Sequence, residues 1–274
     1  MATALITGGT SGIGADFARS LAARGYDLVL VARDESRLSA MAAELSAVNV
    51  ELLPADLRDR SDVARVAARL EDAARPIDLL VNNAGFGVHV SLLARDVSKF
   101  DEAFEVMVRA VLVLGGAAAR SMRARGTGTI INLSSVAGFI TMGGYSAIKG
   151  WVASYTQGLS NELRGTGVTT TALCPGWVRT EFHERASIRT SSIPGFLWQD
   201  SHDLVEACLR DAAKGKVISI PSLRYKTLMW FAQHGPRAGV RRVSAAISSS
   251  RSEDASSERN ATAHDAATTG STTN

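Results

Sequence analysis

TGGTSGIG, Thr7 to Gly14, decides how this chain folds. It follows the apolar run TALIT, which begins at Thr3, and it precedes Ile13, Phe17 and Leu21, spaced as one face of a helix. A glycine-rich turn between a strand and a helix lets the backbone approach a ligand closely. The helix then offers unpaired N–H groups and the positive end of its dipole to an anion. Gly8, Gly12 and Gly14 meet the steric demand of such a turn, and Thr10, Ser11 and Ile13 complete a candidate phosphate loop.

Working outward, β-like runs recur: DLVLVA from Asp27, NVELL from Asn49, DLLVN from Asp78, GTIINLS from Gly128, VTTTALC from Val168 and VISI from Val217. Helical periods fall between them, as at Leu38, Met41 and Leu45 or at Val63, Val66 and Leu70. Alternation of this kind predicts an α/β fold in which parallel strands are joined by right-handed helical crossovers, with helices on both faces of the sheet. The segment from Ser98 to Met122 carries an apolar line at Phe100, Phe104, Met107, Val111, Leu114 and Ala118. Its stretch VLVLGGAAA is apolar almost all round, so a second face needs cover. A homodimer or homotetramer is the expected solution, with cover by the chain's own C-terminal segment as the alternative.

With 274 residues the chain is read as one domain over residues 1–243, followed by a Ser/Thr/Ala-rich tail at 244–274 too poor in apolar residues to order. A net charge of +3 is small, and the basic residues between Arg224 and Arg242 lack the aromatic interleaving of a nucleic-acid groove, so no nucleic-acid partner is expected. Cys174 and Cys208 match no metal-ligand or redox spacing, and no metal is expected. MATALITGG does not read as a signal peptide, and no run approaches the roughly 18 apolar residues of a membrane span. A cytoplasmic protein is expected.

The end of the second strand separates two nicotinamide cofactors, because an acid there binds a ribose diol whereas an arginine suits a 2'-phosphate. Here the strand ends in Ala32 followed by Arg33, which favours NADP(H) over NAD(H), and Asp34 is assigned to capping the next helix. Farther along, GGYSAIKG, Gly143 to Gly150, sets Tyr145 and Lys149 one helical turn apart. Alone, that pair is ordinary on an exposed helix.

Together these segments resemble the short-chain dehydrogenase/reductase family. TGGTSGIG matches its glycine motif, NNAG at Asn82 to Gly85 its sheet motif, IINLSSVAG its serine-bearing strand end, YSAIK its Tyr-x-x-x-Lys, and PGWVRT from Pro175 its nicotinamide loop, over residues 1 to about 220. The resemblance implies a single Rossmann-like, doubly wound domain with a seven-stranded parallel sheet. It implies that Asp56 and Leu57 meet the adenine, that Asn83, Ala84 and Gly85 line the ribose, and that Pro175, Gly176, Val178 and Thr180 hold the nicotinamide end. It further implies that Tyr145 is the acid/base of a carbonyl–alcohol interconversion. Lys149 would be its electrostatic partner and ribose anchor, and Ser135, preferred over Ser134, the donor to the substrate carbonyl. A phenol's ordinary pKa of about 10 is lowered by a neighbouring ammonium, which suits Tyr145 to that part.

Two departures stand out. The family's helix asparagine falls at Met107, so a side-chain amide that helps fix a helix distortion is missing. The interval from Ser135 to Tyr145 is also shorter than usual, and Gly143 and Gly144 are expected to supply permissive backbone angles. A sensor or scaffold that binds cofactor without turnover is the alternative these departures motivate. The substrate is expected to be a lipophilic ketone or 3-oxoacyl thioester, met by FGVHVSLL and by a lid at about 181–200 rich in Phe182, Ile188, Ile193, Phe196, Leu197 and Trp198. His89 and His183 receive no catalytic role. The segment at about 222–243 mixes apolar and basic residues; packing on the domain or on a second subunit is preferred over contact with a membrane.

Overall fold

Parallel strands buried on both faces read as near-continuous apolar runs, and the runs named above are mostly apolar, interrupted chiefly at Glu51, at Asn132 and from Thr169 to Thr171. In a computed structural model that describes residues 1–88, 90–179 and 195–234, they form β1 (Thr3–Thr7), β2 (Asp27–Ala32), β3 (Val50–Pro54), β4 (Leu79–Asn82), β5 (Gly128–Leu133) and β6 (Val168–Leu173). A short β9 (Ile218–Ser219) completes one seven-stranded sheet of order β3-β2-β1-β4-β5-β6-β9, every pairing parallel. The expected α/β architecture is observed.

Helices α1 (Gly12–Ala22), α2 (Glu35–Glu44) and α7 (Ser201–Ala213) bury Phe17, Leu21, Leu38, Met41, Leu204 and Val205 against one face, where Ile6, Leu30 and Val81 point. The opposite face carries Leu5, Val29 and Leu80. It is covered by α3 (Arg60–Leu70), by the long helix made of α4 (Ser98–Phe104) and α5 (Ala110–Arg125), and by α6 (Gly144–Glu162). The chain order runs outward from β1 in one direction and from β4 in the other. This opens a crevice at the carboxyl ends of those two strands, where open α/β sheets bind ligands.

One expectation about the long helix needs correction. Its buried stripe passes through Phe100 and Ala103 to Met107, Val111 and Leu114, which leaves Phe104 50% exposed rather than in the apolar line. Between α4 and α5 the helix widens into a π turn, Glu105–Arg109, and Met107 sits buried within it. The distortion is therefore present without the asparagine. Part of the second face is covered by α3, whose Val63, Val66 and Leu70 share a core with Leu114, Ala117 and Ala118. The C-terminal helix α8 (Leu223–His234) packs against the 3-10 turn Val136–Phe139. Leu112 stays 49% exposed and, with Val113, Gly116, Tyr155 and Leu159, lines a shallow groove between α5 and α6.

Residues 180–194, and with them Thr180, Phe182, His183, Ile188 and Ile193, lie outside the described residues, as do His89 and the segment from 235 onward that includes the tail at 244–274.

Candidate active site

The glycine turn is shaped by contacts no side chain would permit. A Cβ on Gly14 would lie 2.1 Å from the Gly8 carbonyl oxygen and 2.4 Å from Asn83 Nδ2, and Gly12 adopts φ +52°. Asn83 holds the turn from the sheet side: its Nδ2 donates to the carbonyls of Thr7 and Gly8 at 3.0 and 3.2 Å. Thr7 Oγ1 in turn accepts from the N–H groups of Asn83 and Ala84. Ser11 precedes α1 without capping it by a side-chain bond, and the first N–H groups of a helix have no intrahelical acceptor. A helix of 11 residues with an uncapped, glycine-lined start fits a dinucleotide's pyrophosphate.

Arg33 leaves β2 exposed to solvent. Asp34 is engaged as expected: its carboxylate caps α2 by accepting from Arg37 N at 3.0 Å, and the Ser36 hydroxyl beside it holds that carboxyl below its usual range. Asp56 is less free than the resemblance suggests, because Arg58 grips both of its oxygens and lowers its carboxyl, while Leu57 is buried. No signal in the sequence marked that pair.

At the end of β5 the two serines divide their work. Ser134 is spent structurally, its Oγ donating to the Lys149 carbonyl at 2.7 Å. Ser135 opens the 3-10 turn Val136–Phe139; its Oγ accepts from Ala137 N at 3.1 Å and donates to the Pro175 carbonyl at 3.4 Å. The short crossing to α6 is tight for a steric reason. A Cβ on Gly138 would lie 2.7 Å from Gly150 N, so the turn and the helix touch backbone to backbone. Gly143 does supply a left-handed angle, φ +80°, ahead of α6. Gly144 does not, and its role differs from the one expected: a Cβ there would strike the Phe100 ring at 2.0 Å.

Tyr145 and Lys149 then stand on the first turns of α6, with Lys149 Nζ 5.7 Å from the centroid of the Tyr145 ring. The ammonium is buried and donates to the Leu133 carbonyl at 2.8 Å. Burial lowers its pKa to about 8, since the charged form is stripped of water. A buried positive charge beside a phenol favours the phenolate, which suits the pair to move a proton. Behind it runs a polar chain that the sequence did not announce. Asn82 Nδ2 donates to Asn132 Oδ1, Asn132 Nδ2 to Thr156 Oγ1, and Thr156 Oγ1 to the Val152 carbonyl, which ties α6 to the sheet. Gly85 lies against Met107, whose Sδ would sit 3.0 Å from an added Cβ, so the methionine fills the floor behind the NNAG turn.

The last wall is Cys174 to Val178. Cys174 is fully buried and burial pushes its thiol up to about 12, which leaves it an inert core residue. Among the described residues no group of His, Cys, Asp and Glu could hold a metal ion. Nor, among them, is any helix long and apolar enough to cross a membrane.

A parallel sheet whose strand order reverses beside an uncapped glycine turn, with a serine, a tyrosine and a buried lysine at its carboxyl edge, defines a dinucleotide-dependent oxidoreductase. The sequence pattern of the short chain dehydrogenases matches residues 2–190, and the chain belongs to the short-chain dehydrogenase/reductase family. It is an NAD(P)-dependent enzyme that acts on an alcohol or its carbonyl counterpart. A short-chain dehydrogenase from Sphingobium yanoikuyae, solved in complex with NADPH, is 38% identical and superimposes with a TM-score of 0.78 over 87% of this chain and 94% of its own. The bulky-bulky ketone specific alcohol dehydrogenase from Comamonas testosteroni is 33% identical, with a TM-score of 0.73 over 85% and 92%. The L-tagatose-forming galactitol 2-dehydrogenase of Cereibacter sphaeroides is 37% identical over 66% of this chain and 72% of its own length.

Proposed function

We propose that the protein is a cytoplasmic NADP(H)-dependent carbonyl reductase whose substrate is a lipophilic ketone or a 3-oxoacyl thioester. The observation that carries this reading is the buried Lys149 ammonium beside Tyr145, at the edge of a sheet that also presents Ser135. When bound, the cofactor supplies or accepts the hydride. Tyr145 Oη gives a proton to the carbonyl oxygen or takes it back from the alcohol, Lys149 lowers the energy of the phenolate, and Ser135 Oγ donates to the substrate oxygen. Lys149 also anchors the nicotinamide ribose. Gly8, Thr10, Ser11, Gly12, Ile13 and Gly14 hold the pyrophosphate, Asp56 and Leu57 meet the adenine, Asn83 to Gly85 meet the ribose, and Pro175, Gly176, Val178 and Thr180 hold the nicotinamide.

NADP(H) is preferred because Arg33 is exposed at the end of β2 while Asp34 is occupied by its cap. Arg33→Ala should weaken NADPH binding by about tenfold or more, the worth of a charge-assisted bond, and leave NADH binding within about twofold. Titration of both cofactors checks this; equal affinity of the parent for NADH would reverse the assignment. An apolar substrate is supported by Leu92, Leu93 and Phe196, which remain exposed in the described parts of the two specificity loops, and by the Comamonas enzyme's bulky ketones. Following NADPH absorbance with 3-oxoacyl thioesters, steroid ketones and simple diketones tests the substrate class.

A homo-oligomer built on the α5–α6 groove belongs to the same reading. Leu112 stands exposed on its rim, opposite Tyr155, which stacks on Trp151 with ring centroids 5.1 Å apart. Leu112→Glu should shift the mass measured by light scattering toward the monomer, and an unchanged mass would remove this face from the assembly.

A further inference from the structure

Residues 175–179 and 195–199 are joined by features that neither segment carries alone. Trp177–Val178 and Trp198–Gln199 pair as two short parallel strands, β7 and β8, away from the main sheet. Gln199 Oε1 accepts from Gly176 N at 2.8 Å, and the Gln199 carbonyl accepts from Arg179 N. The remaining tie comes from α8. Tyr225, only 4% exposed, lays its ring against Gly176 so closely that a Cβ there would lie 2.0 Å from Tyr225 Cζ. Its hydroxyl accepts from Trp177 N at 3.1 Å and donates to the Leu197 carbonyl at 2.8 Å. Burial raises the phenol's pKa, which keeps that hydrogen in place.

We infer that Tyr225 is a positioning residue for the nicotinamide half of the cofactor site, fixing the backbone from Gly176 to Val178 through one hydroxyl that bridges both segments. The inference rests on the proposal that Pro175 to Val178 meets the nicotinamide. Tyr225 does not touch the reacting atoms; it sets where the loop's N–H and C=O groups point. A buried bridging hydroxyl whose removal takes one bond from a donor and one from an acceptor should be felt at that loop and not at the pyrophosphate turn across the crevice.

The test compares two ligands on the full chain, the parent against Tyr225→Phe, which keeps the ring over Gly176 and removes only the bridge. The dissociation constant of NADPH should rise about three- to tenfold, the worth of one or two hydrogen bonds, with kcat falling in step. That of 2',5'-ADP, which lacks the nicotinamide, should stay within about twofold. Gln199→Ala, which breaks the neighbouring tie to Gly176, should give the same selective pattern. Equal weakening of both ligands, or no change in either, would overturn the assignment by making Tyr225 an ordinary packing residue. A parent that binds 2',5'-ADP but gains nothing from the nicotinamide of NADPH or NADH would instead strike down the underlying reading of the loop, and this inference with it.

Discussion

Tyr145→Phe should lower kcat by about a hundredfold to ten-thousandfold, the range that positioned acid–base groups contribute, and leave NADPH binding nearly unchanged. The substitution removes one oxygen and keeps the ring, at the start of a helix whose first turn is packed by Gly144 on Phe100. Turnover of whichever ketone the parent reduces, measured beside a cofactor titration, separates the two effects. A variant that binds cofactor and retains most of the parent's turnover would sink the assignment of Tyr145 and reopen the sensor reading.

Lys149→Met should move activity and stability in opposite directions. Turnover falls by about a hundredfold or more, because the charge that favours the phenolate is gone. Stability rises, and the sign follows from the lysine's titration. Its pKa drops from 10.5 to about 8 on folding because burial strips the ammonium of water. Below pH 8 both states are charged and the folded protein bears the whole desolvation cost, about 3 kcal/mol from the size of the shift. Between pH 8 and 10.5 the folded state loses its proton while the unfolded state keeps it, so the parent gains stability as pH rises. Methionine removes the cost but leaves the Leu133 carbonyl without its donor, an offset of about 1 kcal/mol. The variant should therefore exceed the parent by about 2 kcal/mol in urea unfolding at pH 7, and the advantage should shrink toward zero at pH 10. Equal stability at both pH values would mean that the ammonium is better solvated than its burial implies.

Much of the sheet was legible because a strand buried on both faces reads as a near-continuous apolar run, and TALIT, LVLVA and IINL are hard to read otherwise. The candidate site was legible for a related reason: its residues stand at the ends of those strands, on the turns after them or on the first turns of a helix, where local spacing carries the message. What stayed hidden involves pairs far apart in the chain. Nothing near Tyr225 signals that its hydroxyl meets Trp177 and Leu197, and nothing near Asn132 signals that Thr156 completes its bonds. Phe104 was placed in the core because a regular helical period was carried straight through the π turn at Glu105–Arg109. Gly144 misled in a different way: a glycine kept for a neighbouring ring looks the same, on paper, as one kept for its backbone angle.

The backbone contact between Gly138 and Gly150 divides the crossing from Ser135 to Tyr145 into two halves with unequal tolerance for redesign. Up to Phe139 the chain is wedged against α6, and any side chain at either glycine would lever Ser135 away from the helix that bears Tyr145. From Ile140 to Gly143 it is free of that wedge and ends at a glycine with nothing within 4 Å of where a Cβ would stand. Extra residues spliced into this second half should bulge outward without disturbing the serine, so the width of the proposed substrate opening and the placement of Ser135 can be engineered as separate traits.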